Sequence, residues 1–432
     1  MQRRDKNLTM KVLVIGSGGR EHSIIKALKK SEKITKIFCA PGNGGISFDA
    51  ECVKIKALDI PAVTDFAVQK KIDYVVVAPD DPLAIGMVDA LEAKGIRCFG
   101  PNKAAARIES SKVFSKNLMK KYGIPTAAYE AFSDSGDALN YVNSNNVSFP
   151  LVIKADGLAL GKGVIIAETR EQAVEAVTSI MVEKKFGASG GNIVIEEFLT
   201  GPEVTVLTFT DGKTVVPMVS SMDHKRAFDG NTGPNTGGMG VIAPNPHYTK
   251  EIAAVCEKTI FTPTINAMKE EGCPFKGCLY FGLMLTPRGP MVIEYNCRFG
   301  DPEAQAVLPL LKTDLFDIMQ AVTDEKLESV KIDWLDECSA CVVLASGGYP
   351  LSYKTGFEIN GLDSAGGAKD SGVIVYHAGT EFKDGAFLTA GGRVLGVTAT
   401  GKTNKSALES AYKTVENVHF LGKHCRKDIG VY

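Results

Sequence analysis

Between residues 11 and 104 the chain alternates short apolar runs with stretches of helical periodicity, and this narrows the fold more than any other feature. Lys11-Val-Leu-Val-Ile15, Lys36-Ile-Phe-Cys-Ala40 and Tyr74-Val-Val-Val-Ala78 read as strands. Glu21 to Lys30 reads as a helix with Ile24, Ile25 and Leu28 on one face. Strands alternating with helices imply a parallel sheet with crossover helices. Ligands of such sheets gather beyond the carboxyl ends of the strands. The polar loops stand at those ends here: Gly16-Ser-Gly-Gly-Arg-Glu-His22, Pro41-Gly-Asn-Gly-Gly45 and Pro79-Asp-Asp-Pro-Leu83.

The pattern changes near Ser110. Ser111 to Tyr122 reads as a helix that stops before Gly123-Ile-Pro125. Leu151-Val-Ile-Lys154 and Gly163-Val-Ile-Ile-Ala167 look like a hairpin around a glycine-rich turn, and Ile193 to Phe198 is a further strand. Strand-like runs at 203–220 and 277–296 add to a mixed α+β region. Beyond about Lys326, strand and turn signals predominate. A length of 432 residues accommodates two to four domains. The expected division is an N-terminal parallel-sheet α/β domain over 1–110, a two-lobed α+β domain over 111–328 with its small lobe at about 125–200, and a β-rich C-terminal domain over 329–432.

Charge excludes some partners. Lys+Arg total 49 and Asp+Glu 50, for a formal net charge of -1, so the chain lacks the basic excess typical of nucleic-acid or membrane-surface binders. No apolar h-region follows the polar start and no run is long enough to span a bilayer. Ten cysteines are too sparse for a disulfide scaffold. Cys338 and Cys341 are spaced C-x-x-C without a second such pair, so they read as thiols beside a buried strand. A reduced, cytoplasmic location is expected.

Five motifs carry chemistry. Gly16 to His22 follows a strand and opens a helix, a placement that can present N–H groups to an anion. Glu21 stands where a dinucleotide fingerprint needs glycine, which favours a smaller phosphate compound over a nicotinamide cofactor. Lys154-Ala-Asp-Gly-Leu-Ala-Leu-Gly-Lys-Gly163 sets lysines at both ends of a glycine-rich turn that can close over a triphosphate. It is not a Walker A loop, because Gly163 replaces Ser/Thr. Ile193 to Leu199, followed by Glu203, can read adenine with backbone groups and ribose with a carboxylate. In Met291 to Glu303, an extended backbone puts Glu294, Asn296 and Arg298 on one face, poor core material but suited to Mg²⁺ and phosphate. Asp223-His-Lys-Arg226 with Gly233-Pro-Asn-Thr-Gly-Gly-Met-Gly240 reads as a substrate-closing loop.

The ordered set VLVIGSGGREH, APGN, FGP, IPTA, VIKADGLALGKGV, IVIEEFL, DHKR, GPNTGGMG, IEYNCRFGDPEAQ, GGYP, HAGT, GGRVL and CRKDIG resembles the phosphoribosylamine–glycine ligase (glycinamide ribonucleotide synthetase) family of the ATP-grasp superfamily. The resemblance implies a pre-ATP-grasp domain, an ATP-grasp domain and a C-terminal domain in one monomer. It also implies joining of glycine to 5-phosphoribosylamine in purine biosynthesis, with ATP as co-substrate and Mg²⁺ or Mn²⁺ as cofactor. Carried over, Glu294 and Asn296 would hold the metal. Lys112 and Lys154 would hold the phosphates, with Gly157, Gly161, Lys162 and Gly163 closing over them. Glu196, Glu197, Phe198 and Leu199 would meet adenine, and Glu203 the ribose. Gly18, Gly19, Arg20, Glu21, Asn43 and Asp80 would face phosphoribosylamine; Asp80 stands where many relatives carry the longer Glu. Asp223, Lys225, Asn235, Thr236, Gly237 and Arg298 would surround the reacting groups, and Asp301 would meet the glycine ammonium. The alternatives are another ATP-grasp carboxylate–amine ligase, a nucleotide-dependent oxidoreductase or a non-catalytic nucleotide sensor.

Overall fold

The computed structural model describes residues 9–158, 163–370 and 372–431. Strands β1 (Met10–Gly16), β2 (Ile34–Pro41), β3 (Glu51–Cys52), β4 (Tyr74–Val77) and β5 (Arg97–Phe99) form a parallel sheet in the order β3-β2-β1-β4-β5. Residues 12–15 of β1 are fully buried, as the central strand of a sheet covered on both faces must be. The order turns back at β1, which opens a crevice beyond the ends of β1 and β4. Helix α1 (Gly19–Leu28) starts two residues before the expected point. The cause is local: the Gly18 N–H donates to the Glu21 carboxylate at 2.5 Å, so the chain is helical before its apolar face begins.

The small lobe of the central region is a four-stranded sheet of β6 (Tyr129–Phe132), β7 (Leu151–Ala155), β8 (Val164–Ala167) and β9 (Ile193–Glu197), in the order β6-β9-β7-β8. Strands β7 and β8 pair antiparallel, as the sequence suggests. The large lobe is built on β10 (Glu203–Asp211), β11 (Val215–Pro217), and two strands further along the chain, residues 276–286 and 289–296.

The segment 222–243 does not behave as a loose loop. It forms β12 (Met222–Asp223), β13 (Arg226–Phe228), β14 (Thr232–Asn235) and β15 (Gly240–Ala243). Strands β13 and β14 are a hairpin. Next come β16 (Lys276–Thr286) and β17 (Gly289–Asn296). The C-terminal region adds β18 (Cys338–Ser346), β19 (Val373–His377), the hairpin β20 (Thr380–Lys383) and β21 (Ala386–Thr389), β22 (Arg393–Gly401) and β23 (Lys423–His424). One sheet runs β12-β15-β18-β22-β19, so strands from both sides of residue 329 share it.

Two cores tie these units together. Phe299, just beyond β17, stacks on Phe99 of the N-terminal sheet (centroids 6.0 Å apart) and meets Phe209 of β10 edge-on. Burying such a ring contributes about 2–3 kcal/mol and locks the residues on either side of it in place. Cys338 and Cys341 lie three apart on one strand and so project to opposite faces; all ten cysteines are free thiols.

Candidate active site

Strand β17 organises the site. Gly282 pairs with Glu294 and Leu283 with Val292, so Ile293 is an extra, bulged residue. Beyond it, Tyr295 and Cys297 are buried, while Glu294, Asn296 and Arg298 are only half-buried. The expected one-sided ridge is therefore present. Lys225 lies 3.6 Å from Glu294. Burial opposes ionisation of Glu294, but Lys225, Lys154 and Lys112 outweigh it and hold its carboxyl below the usual range. An ionised carboxylate beside an amide oxygen is a hard-oxygen donor pair that suits Mg²⁺ or Mn²⁺. Among the described residues no cluster of three or more His, Cys, Asp or Glu could enclose a metal. A divalent ion here would need oxygens from a nucleotide, which is how Mg²⁺ is usually held.

Arg298 sits 3.3 Å from Glu109 and 3.7 Å from Asp80, while its Nε–H has no hydrogen-bond partner. Glu109 also accepts the Cys297 N–H at 2.7 Å. Burial raises the Glu109 carboxyl despite Arg298. Burial also opposes ionisation of Asp80, which Arg298 and Arg20 overcome, leaving it lowered.

The nucleotide side is dominated by lysine. Lys154 donates to the Ile293 carbonyl at 3.0 Å and pairs with Glu196 at 3.0 Å. The stem of the glycine-rich turn thus touches the bulge of β17. Lys116 reaches the same Glu196 at 3.0 Å and donates to Thr126 Oγ1 at 2.8 Å. Burial pulls Lys116 down to about 8 against the attraction of Glu196. Two buried lysines on one glutamate leave an excess of positive charge, which an anion would stabilise. Lys112 donates to the Gly157 carbonyl at 2.7 Å. Gly157 and Gly163 frame the turn, and Gly161 and Lys162 lie outside the described residues.

The adenine-linker candidates divide. The Glu196 side chain is buried on the two lysines. The Glu197 side chain turns outward, to the Ala128 N–H at 3.0 Å and Arg288 at 2.7 Å, while its own N–H donates to the Ala128 carbonyl at 2.9 Å. Phe198 is exposed, and Leu199 packs with Ala127, Met291 and Met284 in a small apolar cluster. Glu203, first in β10, pairs with Lys225 at 3.2 Å.

The loops of the parallel sheet are more self-contained than the sequence suggests. Glu21 is buried, its oxygens taken by the Gly18 N–H and, at 2.6 Å, by Arg20 Nε. Arg20 also donates to the Phe299 carbonyl at 3.2 Å. Both thus point into the protein. The ends of the Asn43 amide are likewise engaged: Nδ2 donates to the Ser17 and His377 carbonyls, and Oδ1 accepts from Gly45 and Ile46. A Cβ on Gly19 would overlap the Gln305 side-chain amide, which would have to move, and one on Gly18 would meet the Glu21 carboxylate. Asp301 takes Gln305 Nε2 at 2.7 Å, Arg393 at 3.4 Å and the Arg20 N–H at 3.4 Å. A substrate ammonium would have to share those oxygens.

Around the hairpin, the Thr236 N–H and hydroxyl both donate to the Lys225 carbonyl at 2.8 Å, and Asn235 is exposed beside them. Arg393 donates to the carbonyls of Gly237 and Asp301, each at 2.6 Å. Burial, and then the charge of Glu303, raises the Asp223 carboxyl; burial likewise raises Glu303. Gly238, at φ +114°, lies where a Cβ would strike Asp223 and Pro302.

Sequence reasoning did not single out Lys116, Glu109, Glu303 or Arg393. Glu303 and Arg393 stood inside quoted motifs, GDPEAQ and GGRVL. Lys116 is one helical turn beyond Lys112 on the helix Lys112–Tyr122, a spacing that puts both on one face. Nothing in the sequence marks Glu109.

Two lobes, with lysines on the small-lobe hairpin and a carboxylate–amide strand on the large lobe, are the arrangement of an ATP-grasp protein. Residues 110–304 match the phosphoribosylglycinamide synthetase ATP-grasp (A) domain, residues 10–109 its N domain and residues 339–432 its C domain. The chain belongs to the phosphoribosylglycinamide synthetase family. It is 49% identical over 420 residues to the phosphoribosylamine–glycine ligase of Caldanaerobacter subterraneus subsp. tengcongensis, covering 97% of this chain and 99% of that protein. It is 48% identical to the trifunctional purine biosynthetic protein adenosine-3 of Gallus gallus, over 97% of this chain and 42% of that protein. The crystal structure of the Thermotoga maritima phosphoribosylamine–glycine ligase superposes with a TM-score of 0.85 at 33% identity, covering 98% of this chain and all of that one. A biotin carboxylase domain from Hydrogenobacter thermophilus, 17% identical with a TM-score of 0.74 over 96% of this chain and 91% of that one, shares the fold.

Proposed function

We propose that this ATP-dependent ligase joins glycine to 5-phosphoribosylamine, giving glycinamide ribonucleotide, ADP and phosphate. A carboxylate is a poor electrophile until one oxygen becomes a leaving group. The glycine carboxylate therefore takes the γ-phosphoryl group, ADP departs, and the phosphoribosylamine nitrogen attacks the glycyl phosphate and releases phosphate. Neither step needs an enzyme nucleophile, so catalysis is positioning and charge stabilisation.

The observation that carries this reading is the meeting of two basic elements on β17: Lys154 at the Ile293 carbonyl (3.0 Å) and Lys225 at Glu294 (3.6 Å). Lys112 and Lys154 hold the triphosphate under the turn from Gly157 to Gly163. The backbone of Glu196 to Leu199 meets adenine above Leu199 and Met291, with Glu203 at the ribose. Glu294 and Asn296 hold Mg²⁺ or Mn²⁺, which, when bound, offsets charge on the phosphates. Lys225 and Arg298 stabilise charge at the reacting centre, beside Asp223, Asn235 and Gly237. The loops around Gly18, Gly19 and Asn43, with Asp80, face the phosphoribosylamine. Arg20, Glu21 and Asp301 shape that subsite from behind, and Thr236 holds Lys225.

The functional division runs 1–110, 111–328 and 329–432, and the protein works as a cytoplasmic monomer. Among the described residues no helix is long and apolar enough to cross a membrane. The test is substrate omission: ADP release should require glycine and phosphoribosylamine together. ADP release indifferent to glycine would point instead to another ATP-grasp carboxylate–amine ligase.

A further inference from the structure

The β13–β14 hairpin begins directly after Lys225, and residues 424–430 lie along it. His424 is hydrogen-bonded through Nε2 to the Ala227 carbonyl at 2.7 Å. Arg426, only 2% exposed, donates from Nη1 to the Arg226 carbonyl at 3.2 Å and to Asn231 Oδ1 at 3.5 Å. Its Nε and Nη2 grip Asp428 at 2.8 and 2.9 Å. Asp428 in turn accepts the Gly230 N–H at 2.8 Å, and the Lys427 N–H donates to Asp229 at 2.8 Å. Finally, the Gly430 N–H donates to Nε2 of His224 at 3.0 Å, while the other ring nitrogen faces the Gly240 carbonyl at 3.1 Å. Burial lowers His224 to about 4, which keeps the ring neutral and Nε2 free to accept near neutral pH.

These hydrogen bonds and ion pairs of the tail residues go to the hairpin, to His224 and to one another. The tail meets the hairpin from behind, while Lys225 projects forward to Glu203 and Glu294. The tip of the hairpin, residues 228–233, is solvent-exposed, with the Phe228 ring against His424 at 5.6 Å between centroids. Hydrogen bonds to exposed backbone open readily unless a buried partner closes them. Arg426 is that partner: its guanidinium is buried, oriented by Asp428 in fork geometry, and turned to the Arg226 carbonyl and Asn231.

We propose that the segment His424–Gly430 is a positioning strap for the transfer site, anchored by Arg426, which fixes the β13–β14 hairpin so that Lys225 is held ready between Glu203 and Glu294. The inference rests on the reading of Lys225 as a group at the reacting centre. Arg426 acts through the hairpin and meets no substrate.

The test uses the full chain with Arg426→Ala and Arg426→Lys. In Arg426→Ala, hydrogen exchange over residues 224–236 should accelerate about tenfold or more. The kcat should fall roughly 30-fold, with the KM for ATP within about twofold of the parent. Arg426→Lys, or added guanidinium ion with Arg426→Ala, should recover part of the kcat. Unchanged exchange, or a kcat within about twofold of the parent, overturns the proposal. Should Arg426→Ala fail to fold, Asp229→Ala on the exposed tip removes the Lys427 contact and the contact of Asp229 with Asp428, and a roughly threefold loss of kcat with faster exchange is expected; parent-like behaviour there also overturns it. If the parent releases ADP without needing glycine, the substrate reading fails, and the exchange data still decide the strap.

Discussion

Replacing Arg298 by methionine tests how the N-terminal and central regions are joined electrostatically. The guanidinium lies 3.3 Å from Glu109 and 3.7 Å from Asp80. At an effective dielectric of about 20 these distances correspond to roughly 5 and 4.5 kcal/mol of attraction. Desolvation of the arginine and repulsion between the two carboxylates cancel much of that sum. Removing one member of a buried ionic group costs about 3–5 kcal/mol, because the remaining charge stays buried. At roughly 2 °C per kcal/mol for a chain of this size, the melting temperature should drop by about 6–10 °C near neutral pH. The loss should also depend on pH. Burial already raises the Glu109 carboxyl, and Arg298 opposes that rise; without Arg298 it climbs further. A carboxyl whose folded value is raised is most favourable to folding below its unfolded value, and that contribution is lost as pH rises through the folded value. The variant should therefore be closer to the parent near pH 5 than near pH 8, by about 1.4 kcal/mol for every tenfold weakening of Glu109 as an acid. Adding Glu109→Gln removes the stranded charge and should recover about half the loss and flatten the pH dependence. The assay is thermal unfolding of parent, single and double variants at both pH values. A single variant that melts with the parent at both, or a double variant no more stable than the single, would refute the reasoning.

Four further outcomes are expected. Glu294→Ala should keep its fold, since the side chain is half-exposed, and lose turnover by about a thousandfold; full activity would remove it from the metal site. Asn43→Ala breaks the bridge between the Ser17 and His377 carbonyls, and should raise the KM for phosphoribosylamine about tenfold with little change for ATP, measured by steady-state kinetics. Burial opposes ionisation of Asp49, yet hydrogen bonds from His22, Lys26 and Lys29 hold its carboxyl far below the usual range. That stability is present above the unfolded value and disappears as pH falls through the folded one, so Asp49→Ala should lower the melting temperature near pH 7 and do so less near pH 3. Lys116→Met leaves Glu196 with Lys154 alone and should weaken ATP binding about tenfold by calorimetry; unchanged affinity would show that Lys116 is structural only.

Much of the fold was legible because its signals are local. The parallel strands announce themselves as apolar runs, and the β7–β8 hairpin as two such runs around glycines. The ridge on β17 followed from alternation alone, although the bulge at Ile293 that seats Lys154 did not. What stayed hidden depends on contacts across hundreds of residues. Glu21 looks like a pocket residue in a glycine-rich loop, but its hydrogen bond to Gly18 turns it inward. Arg393 reaches the carbonyls of Gly237 and Asp301 from a strand of another domain. The segment 222–243 reads as a polar loop because its strands are short and the residues joining them are rich in glycine. Strand β15 joins a sheet along the edge that β18 offers, while β13 and β14 pair with each other.

That shared sheet fixes an order of assembly during translation. Strand β15 emerges from the ribosome about a hundred residues before β18, the strand it pairs with. The two lobes of the central region can pack once β17 has been made. Strand β15 must wait for β18 in the final third of the polypeptide, so the lobes can pack before the sheet that joins them to the C-terminal region is complete.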